Sequence, residues 1–287
     1  MNKAVNGWIN GIIGVAIFSG SLPATRLAVA DFNPIFLTCI RAIIAAILGL
    51  VLLLLLKQPK PKRDNLPALF IVALGCVIGF PLLTGIALKY IDSAHSIVFV
   101  GLLPLSTAVF AVLRTQERPK PLFWVFSLMG ALCISLYVGF TGIKESLVGD
   151  LLMITSIIVC GWGYAEGAKL SQELGGWQVI CWALVLSMPI LLPIAIFMFP
   201  TTLHSISTSA WIGLMYVSVF SMLVGFVFWY RGLAQGGIAA VGQLQLLQPF
   251  LGLLLAAALL HENVSYLMIF TSIVAVICVI GAKKYAN

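Results

Sequence analysis

Long apolar runs alternate with short polar connections along the whole chain. Ten runs can be marked, each of about 17–25 residues, the length that a helix needs to cross the hydrocarbon core of a bilayer. Helix-breaking residues lie at or just outside run ends at Pro34, Pro67, Pro121, Pro200 and Gly175-Gly176. The predicted spans are 7–27, 34–56, 67–88, 93–113, 121–139, 149–170, 177–198, 208–230, 239–260 and 265–283.

A proline and a glutamate recur at one separation in the fourth and ninth runs. Pro104 and Glu117 are matched by Pro249 and Glu262, each at a shift of 145 residues in a chain of 287. A self-match at about half the length indicates an internal duplication. Because each half holds five spans, an odd number, the sequence predicts an all-α membrane protein of ten transmembrane helices in two inverted five-helix repeats. The predicted repeats are residues 1–145 and 146–287.

The composition supports lipid as the solvent of this chain. Hydrophobic residues make up 61% and charged residues 9%, the mean hydropathy is +1.12, and a soluble domain carries about 25% charged residues. The net charge of +7 is spread over short connections, which argues against a nucleic-acid partner. The six cysteines all fall in apolar runs without metal-ligand spacing, so we expect no metal, no disulfide framework and no cofactor.

The basic residues are sorted between the two sides of the predicted bundle. One side would hold Lys3, Lys57, Lys60, Lys62, Arg63, Arg114, Arg118, Lys120, Lys169, Arg231, Lys283 and Lys284. The other side would hold Arg26, Lys89 and Lys144. Since cytoplasmic loops are enriched in Lys and Arg, the sequence predicts a multi-pass protein of the bacterial inner membrane with both termini in the cytoplasm.

Two segments carry a resemblance to a known family. Gly85–Pro104, followed by Glu117, and Trp229–Pro249, followed by Glu262, resemble the EamA-type family of the drug/metabolite transporter superfamily. The resemblance covers essentially the whole chain. It implies ten helices with a central cavity mainly between helices 3, 4, 8 and 9, walled by helices 1, 2, 6 and 7. It also implies export, less often uptake, of amino acids and other small metabolites.

Polar side chains at membrane depth are costly, so each is a candidate for function. Gln245 and Gln248 are three residues apart and share a helix face, where two amides could bind a zwitterion or an amide. The alternative is a hydrogen bond between helices. Trp162 and Tyr164 could line an aromatic-tolerant cavity, although aromatic belts at the membrane interface are the commoner explanation.

Two basic side chains are further candidates for substrate binding. Arg41 lies about two turns into the second predicted helix. It could receive a carboxylate, extend to the interface or pair with a carbonyl. Together with Arg26 it resembles the basic pair of the EamA-type family. His95 begins the fourth predicted span, where it could titrate near neutral pH or cap a loop.

Glu166 is the one carboxylate well inside a predicted span. It could carry a coupling proton or meet a substrate ammonium. The alternative is a structural salt bridge with Lys169, one turn away. The repeated residues Pro104, Pro249, Glu117 and Glu262 are assigned to structure or gating, since both glutamates sit at helix ends.

The sequence carries no P-loop, no H-E-x-x-H and no G-x-S-x-G motif. We therefore expect a secondary transporter rather than an enzyme, exporting amino acids or related metabolites by alternating access. Its partners would be a small-molecule substrate, the lipid bilayer and protons as the candidate coupling ion, with the oligomeric state left open. The alternatives are ion-coupled uptake of an organic cation or nutrient, with Glu166 facing the charge, and an intramembrane enzyme.

Overall fold

The computed structural model describes residues 3–91, 96, 99–115, 117–139, 146–200, 206–248, 250–252, 254–255 and 266–286. Every regular element in these ranges is a helix. In chain order the helices are α1 (Lys3–Asp31), α2 (Pro34–Leu55), α3 (Arg63–Ala87), α4 (Leu103–Arg114), α5 (Pro121–Gly139), α6 (Leu147–Leu174), α7 (Gly176–Phe197), α8 (Thr208–Gly236), α9 (Ile238–Gly242, continued by a 3-10 turn at Gln243–Leu247) and α10 (Tyr266–Tyr285).

Within the described ranges, six helices are long and apolar enough to cross a membrane: α1, α2, α3, α6, α7 and α8. Helix α5 has the bounds that the sequence predicts. The predicted spans 93–113, 239–260 and 265–283 are described only in part. The all-helical membrane fold is therefore established, and the count of ten spans stays a prediction.

The packing of the helices fits two related halves. Helix α1 packs on α8, and α3 packs on α6. These two contacts are equivalent if α1–α5 correspond in order to α6–α10, because α1 then corresponds to α6 and α3 corresponds to α8. The pairs α2–α7, α4–α9 and α5–α10 also pack together, and each consists of two corresponding helices. An approximate two-fold relation between two five-helix halves produces this pattern, so the packing fits the repeat found in the sequence.

Both halves depart from regular α-helix at matching positions. Residues Ala73–Gly79 of α3 and Tyr216–Gly225 of α8 are π-helical, and moving the first segment by 145 residues places it inside the second. Such segments widen a helix locally and are frequent at functional sites. Helix α1 is broken at Gly20, between Ser19 and Ser21.

Glycines let the helices of the two halves touch through their backbones. A Cβ atom added to Gly232 of α8 would lie 2.7 Å from the Gly11 amide nitrogen of α1. On the equivalent pair, a Cβ atom on Gly163 of α6 would lie 3.4 Å from the Gly75 Cα atom of α3. Small residues at such crossings drive helix association where lipid offers no hydrophobic contrast.

Basic segments that are distant in the sequence meet at one end of the bundle. The Lys283 ammonium lies 4.3 Å from the centre of the Trp8 ring, and the Lys120 amide donates to the Tyr285 carbonyl at 3.0 Å. We call this the basic end; it holds the start of α1 and the ends of α4 and α10. The contacts thus bring together segments that the sequence assigned to one side of the membrane.

Candidate functional site

A cavity lies between the two halves, lined by residues of α1, α2, α3, α4, α6 and α8 and by Gln248 after α9. Its polar lining residues are Ser21, Thr25, Arg41, Thr84, Tyr164, Ser221 and Gln248. The space open to a water molecule is about 30 Å³, enough for about two waters and far below the roughly 300–1,000 Å³ of a ligand pocket. The helices around it must separate before a metabolite can enter.

The cavity takes equivalent positions from both halves. Cys76 and Ser221 are 145 residues apart, both lie in the π-helical segments and both line the cavity. Leu103 and Gln248 are also 145 residues apart, and both line the cavity. The cavity therefore lies at the interface between the two repeats, which is where transporters built from repeats bind their substrates. At both pairs the second half supplies the more polar side chain.

Among the described residues that line the cavity, the charged one is Arg41. Its side chain is 6% exposed, and its Nη2 donates to the Ser221 hydroxyl at 3.3 Å. The same hydroxyl accepts from Ser21 at 2.7 Å, so α1, α2 and α8 meet at one polar contact. The Arg41 Nε has no hydrogen-bond partner among the described residues.

Of the two candidate amides, Gln248 lines the cavity and Gln245 lies beside it. Gln248 is 7% exposed; its Nε2 donates to the Phe18 carbonyl at 3.4 Å, and its Oε1 has no partner in the described ranges. Gln245 is fully buried, and its amide lies close to the Tyr164 hydroxyl without meeting the geometry of a regular hydrogen bond. Tyr164 lines the cavity, packed against Phe226 at 5.9 Å between ring centres.

Glu166 pairs with a different residue from the one expected. Its carboxylate, 2% exposed, is bonded to the Nε of Arg114 at the end of α4. The alternative of a structural salt bridge between Glu166 and Lys169 is therefore wrong, because α4 packs on α6 and brings Arg114 to Glu166. Lys169 is exposed instead and lines an open cleft with Arg114, Arg118 and Gln172.

Glu117 fastens α4 to the start of α9. Its Oε1 accepts from the Ile238 amide at 2.7 Å, and its Oε2 accepts from the Ala239 amide at 2.8 Å. These amides belong to the first turn of α9, which has no helical partners for them. Gly237, which joins α8 to α9, has a φ of 91°, a conformation that a side chain would strain. A carboxylate at a helix N-terminus also suits the helix dipole.

The remaining predicted residues are not gathered at the cavity. Trp162 lies on the outside of α6, 40% exposed, with its ring stacked on Phe110 at 6.0 Å; this position is typical of an aromatic facing lipid. Pro104 is buried in the first turn of α4. His95, Pro249 and Glu262 lie outside the described residues.

Sequence reasoning missed several residues of the site. Ser21, Ser221 and Thr84 were not singled out, because hydroxyls are common in transmembrane helices and bond to their own helix, as Thr84 does to the Phe80 carbonyl at 2.6 Å. The repeat offered one signal: Ser221 lies 145 residues after Cys76 in the matching helix. Arg114 was placed in a loop, and nothing local marked it as the partner of Glu166.

Comparison with known proteins decides the family. The sequence model of the EamA-like transporter family matches the chain twice, at residues 5–139 and 147–282. The chain belongs to the EamA-like transporter family. It is 59% identical over 287 residues, 100% of both chains, to the "Uncharacterized transporter YdeK" of Bacillus subtilis (strain 168). It is 22% identical over 256 residues to "Uncharacterized transporter YyaM" of the same organism, covering 86% of this chain and 84% of that one.

The fold is shared with a solved structure as well. A protein of known crystal structure is 17% identical and superposes with a TM-score of 0.77, covering 98% of this chain and 97% of the other. EamA-like proteins are transporters, not enzymes, so the chain is a multi-pass membrane transporter of this family, with a small molecule as its substrate and a lipid bilayer around it.

Proposed function

We propose that this EamA-like protein exports small organic metabolites, amino acids and related compounds among them, by alternating access. The supporting observation is the cavity between the halves, which is lined at equivalent positions by Cys76 and Ser221 and by Leu103 and Gln248. A site at the interface between two repeats can be opened to either side of the membrane when one half rocks against the other.

The basic end supplies the closed gate in this proposal. Glu117 holds the first turn of α9, Arg114 holds Glu166, and the Asn10 amide donates to Gln235 at 3.1 Å. With the basic end in the cytoplasm, as the distribution of Lys and Arg predicts, these contacts support a conformation closed toward the cytoplasm. Export then requires these contacts to open for substrate loading and to close again behind it.

Efflux from proteoliposomes tests the proposal. Vesicles loaded with radiolabelled amino acids should lose them faster with the protein than without it, and unlabelled substrate outside should accelerate the loss by exchange. Recovery of the substrate without covalent change would exclude enzymatic turnover. If sorted inside-out and right-side-out vesicles show net movement only toward the cytoplasmic side, the protein is an uptake carrier and export is wrong.

The orientation has its own test. In a variant without native cysteines, single cysteines at Lys60 and Arg118 should react with an impermeant maleimide only from the cytoplasm. One at Lys144, which lies outside the described residues, should react only from outside. Labelling of all three from one side would contradict the orientation.

Glu166 is the candidate for proton coupling. It is an almost fully buried carboxylate with one ion-pair partner among the described residues, and such groups in membranes often carry protons. We expect Glu166→Gln to abolish transport driven by a pH gradient while preserving exchange, which needs no net proton movement. Glu173→Gln, an exposed acid on the same helix, is the control. Gradient-driven transport restored by Glu166→Gln with Arg114→Met would refute the coupling role and leave a structural ion pair.

Uptake of an organic cation is less well supported. That alternative needs Glu166 to face the substrate, whereas Glu166 is bonded to Arg114 and does not line the cavity. The charge that does line the cavity belongs to Arg41 and would repel a cation.

A further inference from the structure

An open cleft at the basic end carries three cations side by side. It lies between the ends of α4 and α6, and its basic lining residues are Arg114, Arg118 and Lys169; we call it the α4–α6 cleft. The space open to water is about 740 Å³, within the roughly 300–1,000 Å³ of a ligand pocket. Unlike the cavity between the halves, this cleft can receive a charged group without any movement of the helices.

The carboxylates near the α4–α6 cleft do not satisfy its cations. Glu166 is bonded to the Nε of Arg114, and the two terminal nitrogens of that guanidinium make no hydrogen bond with the described residues. Glu117 lines the cleft, but both its oxygens accept from amides of α9. Glu173, one turn beyond Lys169 on α6, is exposed and does not line the cleft. The cleft therefore keeps N–H donors that an anion can use.

The surface next to the cations is apolar and faces lipid. The rings of Phe110 and Trp162 are stacked at 6.0 Å on the outside of α4 and α6, and Leu113, which lines the cleft, is 68% exposed. Arg114 lies one turn beyond Phe110, and Lys169 lies two turns, about 10 Å, beyond Trp162. Both helices therefore run along one face from an apolar surface to a cation at the membrane boundary.

This order of apolar and basic groups matches a phospholipid. A phospholipid places its phosphate at the membrane surface and its hydrocarbon several ångströms below it. Guanidinium and ammonium groups bind phosphate oxygens, and basic pockets between transmembrane helices on the cytoplasmic side bind anionic headgroups. A soluble anion would use the cations alone and leave the rings without a role. A zwitterionic headgroup would bring a positive charge of its own toward three others.

We propose that the α4–α6 cleft binds an anionic phospholipid. Its phosphate contacts Arg114, Arg118 and Lys169, and one acyl chain lies along Phe110 and Trp162. The phosphate then lies beside the guanidinium that holds Glu166, so the surrounding lipid contacts the proposed gate directly. This proposal is independent of which molecule crosses the membrane through the cavity.

Lipids that share their acyl chains test the charge requirement on the purified full-length protein in a neutral detergent. Dioleoyl phosphatidylglycerol is anionic, dioleoyl phosphatidylcholine is zwitterionic, and glycerol phosphate carries the anion without the chains. Native mass spectrometry shows which lipid is retained, and thermal unfolding measures the stabilisation by binding. We expect phosphatidylglycerol to be retained and to raise the melting temperature, with the other two compounds at background at the same concentration.

Arg118→Met combined with Lys169→Met tests the cleft and leaves Arg114 in place. Since one cation near an anionic headgroup changes affinity about fivefold, the double variant should bind phosphatidylglycerol about twentyfold more weakly. The control is Lys60→Met combined with Arg231→Met. It removes the same charge from two exposed residues that do not line the cleft, and it should bind phosphatidylglycerol as the parent does.

Trp162 reports the position of the acyl chain. In phosphatidylcholine vesicles with a minor fraction of phosphatidylglycerol brominated on its chains, tryptophan fluorescence should be quenched more than by the same fraction of brominated phosphatidylcholine. Trp162→Phe keeps a ring to stack on Phe110 and removes the reporter, so the excess quenching should disappear. It should also disappear in the variant that lacks Arg118 and Lys169.

Each of four results would overturn the proposal. Equal binding of phosphatidylglycerol and phosphatidylcholine would show that the headgroup charge is not recognised. Equal weakening in the two double variants would show attraction to surface charge in general. Binding of glycerol phosphate as tight as that of phosphatidylglycerol would make the cleft a site for soluble anions. Excess quenching that survives Trp162→Phe would place the lipid elsewhere on the protein.

Discussion

The cavity and the basic end each contain a buried charge, and the protein treats the two differently. At the basic end the Glu166 carboxylate, 2% exposed, is neutralised by Arg114. In the cavity the Arg41 guanidinium, 6% exposed, donates to the neutral Ser221 hydroxyl, and no acidic partner is found for it among the described residues. A charge that the protein neutralises contributes to holding helices together. A charge that it leaves unbalanced costs stability and is available to a ligand.

The largest effect on stability is expected at the basic end. Arg114→Met leaves the Glu166 carboxylate buried without its counter-charge. The free energy of unfolding should fall by about 2–3 kcal/mol, below the 3–5 kcal/mol typical of a fully buried pair, because Arg114 is 47% exposed. Thermal unfolding in detergent measures the change, and adding Glu166→Gln to the variant should recover most of it.

Arg118→Met is the control for that comparison. Arg118 is exposed and lines the same open cleft as Arg114. In the described part of the chain, Arg118 forms no ion pair. Its loss should change stability by less than about 0.5 kcal/mol. Equal effects of Arg114→Met and Arg118→Met would show that the buried pair does not stabilise the protein.

Glu117→Gln tests the second contact of the basic end. The amide keeps one acceptor oxygen and loses the charge that two backbone amides share, at a cost of about 1–2 kcal/mol. The basic end should then open more often. A cysteine in place of Thr107, which is fully buried beside Gly242, should be alkylated faster in Glu117→Gln than in the parent without native cysteines, and Glu173→Gln should leave the rate unchanged.

The amides beside the cavity should have a smaller effect. Gln248→Ala or Gln245→Ala should slow efflux by a factor that corresponds to about 0.5–2 kcal/mol, the range for hydrogen bonds at membrane depth. The amount of folded protein should not change. If both variants transport normally, the two glutamines are packing residues and the substrate-binding site lies elsewhere.

The smallest effect on stability is expected at Arg41. Whether Arg41→Met raises or lowers the melting temperature tests the contrast between the cavity and the basic end. Arg41→Met removes a buried charge that has no acidic partner in the described lining, so the melting temperature without ligand should stay equal or rise slightly. A fall as large as that of Arg114→Met would mean that Arg41 is structural, and the contrast between the two regions would be lost.

The sequence determined the helical framework of this transporter and its duplication. The predicted span 121–139 coincides with α5, and 34–56 and 177–198 agree within one residue with α2 and α7. Apolar length and breaking residues are local properties, and a repeat is visible as a shift in residue number. The segments Gly85–Pro104 and Trp229–Pro249 also indicated the family, whose sequence model matches both halves.

The tertiary structure decided which polar residues meet. Periodicity places Trp162 and Glu166 on one side of α6, yet α4 buries Glu166 and leaves Trp162 at the surface. Sequence distance favoured Lys169 as the partner of Glu166, whereas Arg114, 52 residues away, reaches it. Arg41 and Ser221 are 180 residues apart and meet only because α2 and α8 line one cavity. Helix packing brings these residues together, and packing depends on contacts between both halves that no local pattern encodes.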